Sequence, residues 1–261
     1  MTLRQLWDSG QPTLGGWCVI PGSFGAELMG TAGFDWVCID TQHGLIGYDE
    51  MLTMLQALSS TRTPSFVRVR WNEPGEIMKA LDAGAEGVIV PMVNSAADAR
   101  AAVGACRYHP EGYRSWGPTR AALQVKNYDP QSANRAVICA VMVETAEAVR
   151  QLDDILSVPG LDAVFVGPND LAVSSGIAPS YDAEDAEHRR LIEEILGGCQ
   201  RTGTLAGIYC GSAETAARWR ERGFRMLAVA SDAVLLRLGA QQGLRQLRRE
   251  ERQEAPRASY A

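Results

Sequence analysis

Eight short apolar runs recur along the 261-residue chain, and their regular alternation with helix-like segments constrains the fold more than any other feature. They are 17–20 (WCVI), 36–40 (WVCID), 66–71 (FVRVRW), 87–93 (GVIVPMV), 137–145 (VICAVMVET), 163–168 (AVFVGP), 205–210 (LAGIYC) and 226–231 (MLAVAS). The segments between them, such as YDEMLTMLQALSS and AEAVRQLDDILSV, carry helical spacing. Gly33-Phe34, Gly84-Ala85, Gly160-Leu161 and Gly223-Phe224 each precede a run by a few residues. Glycine just past a helix end is the usual left-handed cap, so each pair reads as a helix stopping and a strand starting. Continuous apolar strands between helices imply a parallel sheet covered by helices. Eight such units in about 230 residues predict an α/β fold, a (β/α)8 TIM barrel. A doubly wound sheet fits less well, because no GxGxxG or GxxxxGK[ST] follows any run. Residues 1–250 are expected to form this single domain. The charged stretch 251–261 is expected to be a polar C-terminal tail that frays or docks on another subunit.

Charge and cysteine usage narrow the partners. With 25 Lys+Arg against 31 Asp+Glu the net charge is −6, which argues against non-specific nucleic-acid binding. No stretch approaches the ~20 apolar residues of a membrane span, and MTLRQLWDSG lacks a signal-peptide core. The six cysteines show no CxxC spacing, and four lie within apolar runs. They read as reduced, mostly buried thiols of a cytoplasmic protein rather than as zinc ligands.

In a barrel of this kind the C-terminal strand ends carry the site. Those ends supply Asp40, Gln42 and His43 after the second run, and Arg68 and Arg70 within the third. Glu144 and Thr145 end the fifth, and Asn169 and Asp170 follow the sixth. Two acids from separate strands suit a hard divalent cation with oxygen ligands. They read equally as members of structural salt bridges. His43 is in the same position, a base or a hydrogen-bonded structural imidazole. Arg68 and Arg70 alternate along a strand, so only one faces the barrel interior. His109 and His188 stand in polar contexts and read as surface residues, and Arg114 and Arg120 as solvated loop charges. Asp82, within KALDAGA, reads as an exposed helix residue unless it reaches His43 and orients the ring.

The stretches FDWVCIDTQHG, FVRV, ALDAGAEGVIVPMV, RYHPEGYRSWG, VMVET and GPNDLAVSSG carry a resemblance to the HpcH/HpaI aldolase family, in the order found there and over roughly residues 15–240. These are metal-dependent class II pyruvate aldolases, including 4-hydroxy-2-oxoheptanedioate and 2-dehydro-3-deoxyglucarate aldolases. The resemblance implies Glu144 and Asp170 as metal ligands, His43 as the essential histidine with Asp40 before it, and Arg68 as the arginine that binds the 2-oxo acid. It implies Asp82 as the acid associated with the histidine, and a divalent cofactor, Mg2+, Mn2+ or Co2+. It also implies a homohexamer with metal sites close to subunit contacts. Two positions depart from the pattern: Gln42 stands where many members have Glu, and Met142 where many have Gln. With Arg68 and Asn169 they are expected to meet the substrate.

The reaction so implied is reversible cleavage of a 4-hydroxy-2-oxo acid to pyruvate or hydroxypyruvate plus an aldehyde, through a metal-stabilised enolate. An imine route fails on inspection, because Lys79 and Lys126, the only lysines, end no strand. Arg68 would set its charge where the enolate oxygen develops, and His43 would move the 4-hydroxyl proton. Oxaloacetate decarboxylase and citramalyl- or malyl-CoA-type lyase are alternatives on the same scaffold, the latter without an evident basic patch for a CoA nucleotide. A barrel that senses small acids is the non-enzyme alternative.

Overall fold

Eight parallel strands close in sequence order into a barrel. They are β1 (Thr13–Cys18), β2 (Trp36–Asp40), β3 (Ser65–Arg68), β4 (Gly87–Val90), β5 (Ile138–Val143), β6 (Ala163–Val166), β7 (Leu205–Tyr209) and β8 (Met226–Ser231). Helices fill the connections, so the computed structural model, which describes residues 3–254, has the expected (β/α)8 architecture. All four glycine junctions take the left-handed conformation, with φ of +94° at Gly33, +100° at Gly84, +84° at Gly160 and +115° at Gly223.

Alternate residues of each strand face opposite sides of the sheet. Trp17, Trp36, Cys38, Phe66, Ile89, Ala140, Met142, Phe165 and Met226 pack on one another inside the barrel. Their neighbours, such as Val37, Ile39, Val67, Val88, Val141 and Val164, pack against the helices. The interior interdigitates large side chains with glycines. A Cβ at Gly87 would lie 2.5 Å from the Phe66 ring, and one at Gly207 2.6 Å from Phe165. At Gly15 it would enter the Trp36 indole.

That packing explains one shifted element. The apolar run predicts a first strand at 17–20, yet β1 begins at Thr13 and pairs Gly15 with Trp36 and Cys18 with Ile39. Gly15 and Gly16 lack the side chains by which strands are recognised, but the indole opposite Gly15 leaves no room for one. The shift puts Trp17 near the top of the strand rather than at its start. At the other end of the chain, the helix Asp232–Glu254 runs four residues into the stretch expected as a tail; the rest of that stretch lies outside the described residues. Among the described residues, no helix is long and apolar enough to cross a membrane, and all six cysteines are free and buried.

Because the Trp36 indole fills the space a Gly15 side chain would need, Gly15→Ala is expected to cost about 1–3 kcal/mol through overpacking. Urea titration should show a lower midpoint with an unchanged slope. An unaltered midpoint would mean that the Trp36 ring has room to move.

Candidate active site

Above the apolar layers, the inward-facing positions turn polar at the top of the barrel. In β2 the series Trp36, Cys38, Asp40 ends on a carboxylate, and in β3 Phe66 is followed by Arg68. Asp40 has no exposed surface and Arg68 is 8% exposed. Arg68 Nε donates to Asp40 Oδ1 at 2.9 Å, and a second guanidinium nitrogen bonds Oδ2. Trp17 Nε1 adds a bond to Oδ2 at 3.2 Å, while the backbone N–H groups of Gln42 and His43 donate to Oδ1. Burial alone would raise the Asp40 pKa; the hydrogen bonds and charge of Arg68, with Trp17 and the His43 amide, bring it below its ordinary value. Asp40 is therefore a fully engaged acceptor that holds Arg68 and folds the turn carrying His43. Gly44 completes that turn because a Cβ there would run into the Asp40 carbonyl. Two residues apart, Arg68 and Arg70 would share a face of a continuous strand rather than alternate; β3 ends at Arg68, and Arg70 beyond it is exposed and pairs with Glu76, so Arg68 alone stays inside.

A second acidic element stands across the barrel mouth. Glu144 follows β5 and is 2% exposed. Its Oε1 accepts the Met92 backbone N–H at 2.8 Å, from a residue held at φ +55°. Its other oxygen lies against Gly167, where any Cβ would collide with it. Burial pushes the Glu144 pKa up to about 7, and the nearby charge of Asp170 adds to the rise. Asp170 sits in the first turn of the helix Pro168–Ser174. Thr145 is engaged in capping, its hydroxyl accepting the Ala148 N–H.

These elements surround a cavity of about 320 Å3. Asp40, His43, Arg68, Met142, Asn169 and Asp170 line it, and Glu144 borders it through Gly167. Gln42 does not line it, although its Oε1 is buried without a partner; Asn169 Oδ1 is likewise unpartnered. Asp82 is not brought to His43. It ends the helix Pro74–Asp82, beside the turn in which Glu86 N–H bonds Ser65, the first residue of β3. That is the opposite end of the barrel. There Asp82 accepts Arg114 at 2.7 Å.

Arg114 corrects another expectation. Its side chain is 1% exposed, not solvated, because Asp82 neutralises it and the Tyr108 ring lies 4.6 Å from its guanidinium carbon. His188 is also buried, contrary to its polar sequence context. In the helix Ala186–Thr202 it falls on the face of Leu191, Ile192 and Ile195, and burial lowers its pKa. His109 is exposed as expected. The cavity also takes in Trp17, Phe165, Tyr181 and Tyr209, which the sequence pattern does not mark as site residues. Tyr209 ends β7 and obeys the same strand-end rule that points to Glu144. Trp17 is hidden because the apolar run makes it look like a strand start. Tyr181 lies in a loop with no periodic signal.

The donor set can be tested against a metal. Among the described residues, no three His, Cys, Asp or Glu side chains gather as a metal cluster. Two neighbouring carboxylates, one driven toward protonation by burial and by the other's charge, instead fit a hard cation that keeps solvent or substrate oxygens in its remaining positions. The residues present fit such an ion.

A barrel mouth that brings a buried arginine and two carboxylates together has the groups to hold a small anion beside a cation. Residues 24–238 match the HpcH/HpaI aldolase/citrate lyase family. The chain is 40% identical over 240 residues to a hydroxypyruvate/pyruvate aldolase of Rhizorhabdus wittichii, covering 92% of this chain and 96% of the relative. It is 38% identical to a 4-hydroxy-2-oxo-heptane-1,7-dioate aldolase of Salmonella dublin, covering 89% of each. Its fold superimposes on a crystal structure of a family protein from Burkholderia cenocepacia with a TM-score of 0.88 and 32% identity, covering 94% and 98% of the two chains. The chain belongs to the HpcH/HpaI aldolase/citrate lyase family, and it is a carbon–carbon lyase of the class II aldolase type.

Removing the Asp40 charge tests how the site is built. Asp40→Asn leaves Arg68 buried without a counter-charge, and the expected loss is about 3–5 kcal/mol at neutral pH. Because the folded pKa of Asp40 is lowered, its contribution is present above the ordinary carboxylate value and is lost as pH falls through the folded one. Urea titrations of the two proteins should therefore converge below about pH 4. A constant gap across that range would show that the ion pair is not its source.

Proposed function

We propose that the chain reversibly cleaves a 4-hydroxy-2-oxo acid to pyruvate or hydroxypyruvate and an aldehyde, with Glu144 and Asp170 holding Mg2+, Mn2+ or Co2+. The observation that carries this reading is the placement of Arg68 and Asp170 on one cavity that Glu144 borders behind Gly167, with neither lysine among the lining residues. Lys79 instead rests 4.9 Å from the Tyr48 ring, on the helix that follows β3. An imine mechanism has no amine to use.

A bound divalent cation supplies Lewis acidity toward the ketone of the 2-oxo acid. Arg68, kept charged and oriented by Asp40, binds the acid and places positive charge beside the oxygen that becomes the enolate. As the C3–C4 bond breaks, its electron pair moves into the enolate, and His43 takes the proton of the 4-hydroxyl group, leaving the aldehyde. In condensation the same proton returns from His43 to the new alkoxide.

His43 has no side-chain partner among the described residues, and Asp82 lies at the far end of the barrel. The family resemblance associates Asp82 with this histidine, and Asp82 of a neighbouring copy in a homohexamer would serve it across a subunit contact. The rim beside His43 supports such a contact: Leu45 is 82% exposed and Trp71 51%. The buried, free cysteines suit a cytoplasmic setting.

Glu144→Gln and Asp170→Asn should each abolish metal-dependent cleavage while leaving the thermal midpoint close to wild type, and calorimetric titration with Mn2+ should show lost binding. Full turnover in stringently metal-depleted buffer would sink the assignment. A separate assay divides the roles of Arg68 and His43. Exchange of pyruvate methyl protons with D2O needs enolate formation but no aldehyde. Loss of the Arg68 charge, in Arg68→Gln, should slow exchange about 100- to 1,000-fold. His43→Ala should impair cleavage more than exchange; near wild-type cleavage by that variant would remove His43 as the base.

A further inference from the structure

One wall of the cavity takes no part in the donor chemistry. Tyr209 ends β7, and Tyr181 comes from the connection between the helices Pro168–Ser174 and Ala186–Thr202. Their ring centroids lie 5.2 Å apart. Tyr209 meets Trp17 edge-on at 5.4 Å, and Trp17 stacks on Phe165 at 5.7 Å. Asn169 and Ser231 line the same cavity as the two rings. Gly211, at φ +73°, makes room for this wall, since a Cβ there would stand 2.7 Å from the Tyr181 ring. Among the described residues the basic groups lining the cavity are Arg68 and His43, and Arg68 is already paired with Asp40.

We propose that Tyr181 and Tyr209 form the acceptor side of the pocket and select a short, uncharged hydroxyaldehyde over an aldehyde with a distal carboxylate. The inference rests on the aldolase reading above. The donor acid uses Arg68. A second carboxylate, at the acceptor's far end, would be enclosed by aromatic faces near Asp170, with no cation among the described residues left to pair it. Enclosing an unpaired charge is costly, and the electron-rich faces of aromatic rings repel anions. A hydroxyaldehyde instead sets its C–H groups against the rings and its hydroxyls toward phenol and serine oxygens, which both donate and accept. A cavity of about 320 Å3 leaves room for a three-carbon donor and a short acceptor. Tyr181 is thus a specificity-determining residue, and its ring, packed beside that of Tyr209, is the part that acts.

The test compares glyceraldehyde and succinic semialdehyde as acceptors for pyruvate, using metal-loaded enzyme. Wild type should favour glyceraldehyde in kcat/KM on the order of tenfold or more. Tyr181→Phe should keep that preference, since the wall remains. Tyr181→Arg should narrow or reverse it, chiefly through a lower KM for the semialdehyde. Pyruvate proton exchange in D2O, which needs no aldehyde, is run alongside. Absence of exchange in wild type would overturn the aldolase reading and this inference with it. Normal exchange with a wild-type preference for succinic semialdehyde would overturn the inference alone, and so would an unchanged preference in a Tyr181→Arg enzyme that still exchanges.

Discussion

The buried ion pair between Asp40 and Arg68 organises the top of this barrel. An arginine inside a packed barrel is tolerable only with its charge matched and its donors used, and Asp40 does both from the adjacent strand, in register with it. The same carboxylate receives the amides of Gln42 and His43, so one acid holds both the buried guanidinium and the turn that carries His43. This polar layer is therefore a continuation of the strand alternation. Below it lie rings, aliphatic side chains and glycines, with the Thr13 hydroxyl taking up the indole N–H groups of Trp7 and Trp36.

Much of this is legible in the sequence because it depends on local rules. Alternating apolar runs and helical segments lead directly to the barrel, and glycine caps mark four of its junctions. His43, Arg68, Glu144 and Asp170 stand out because a buried run that turns polar has reached the open edge of the sheet. What stays hidden depends on contacts between distant segments. Gly15 and Gly16 conceal a strand because the indole that excludes a side chain at Gly15 belongs to the next strand. Arg114 looks like a loop charge until the loop is seen folded over Asp82 and Tyr108. His188 sits among charged neighbours, and only the helical period turns it inward. Tyr181 reaches the cavity from a segment whose composition announces nothing.

The two ends of the barrel divide the work. The mouth gathers the acids, the arginine and the histidine. The base holds Asp82 against Arg114, far from the cavity. An isolated chain thus presents a histidine without an orienting partner and a paired acid facing away from it.

Glu144 has an unusual orienting partner in the peptide N–H of Met92. A main-chain donor belongs to no side chain, so substitution at position 92 leaves it in place, proline excepted. Its aim comes instead from the left-handed turn at that residue. Drift in the surrounding side chains can therefore reshape what the pocket accepts while this carboxylate keeps its direction. The anchor is written into the path of the backbone, beyond the reach of most single mutations.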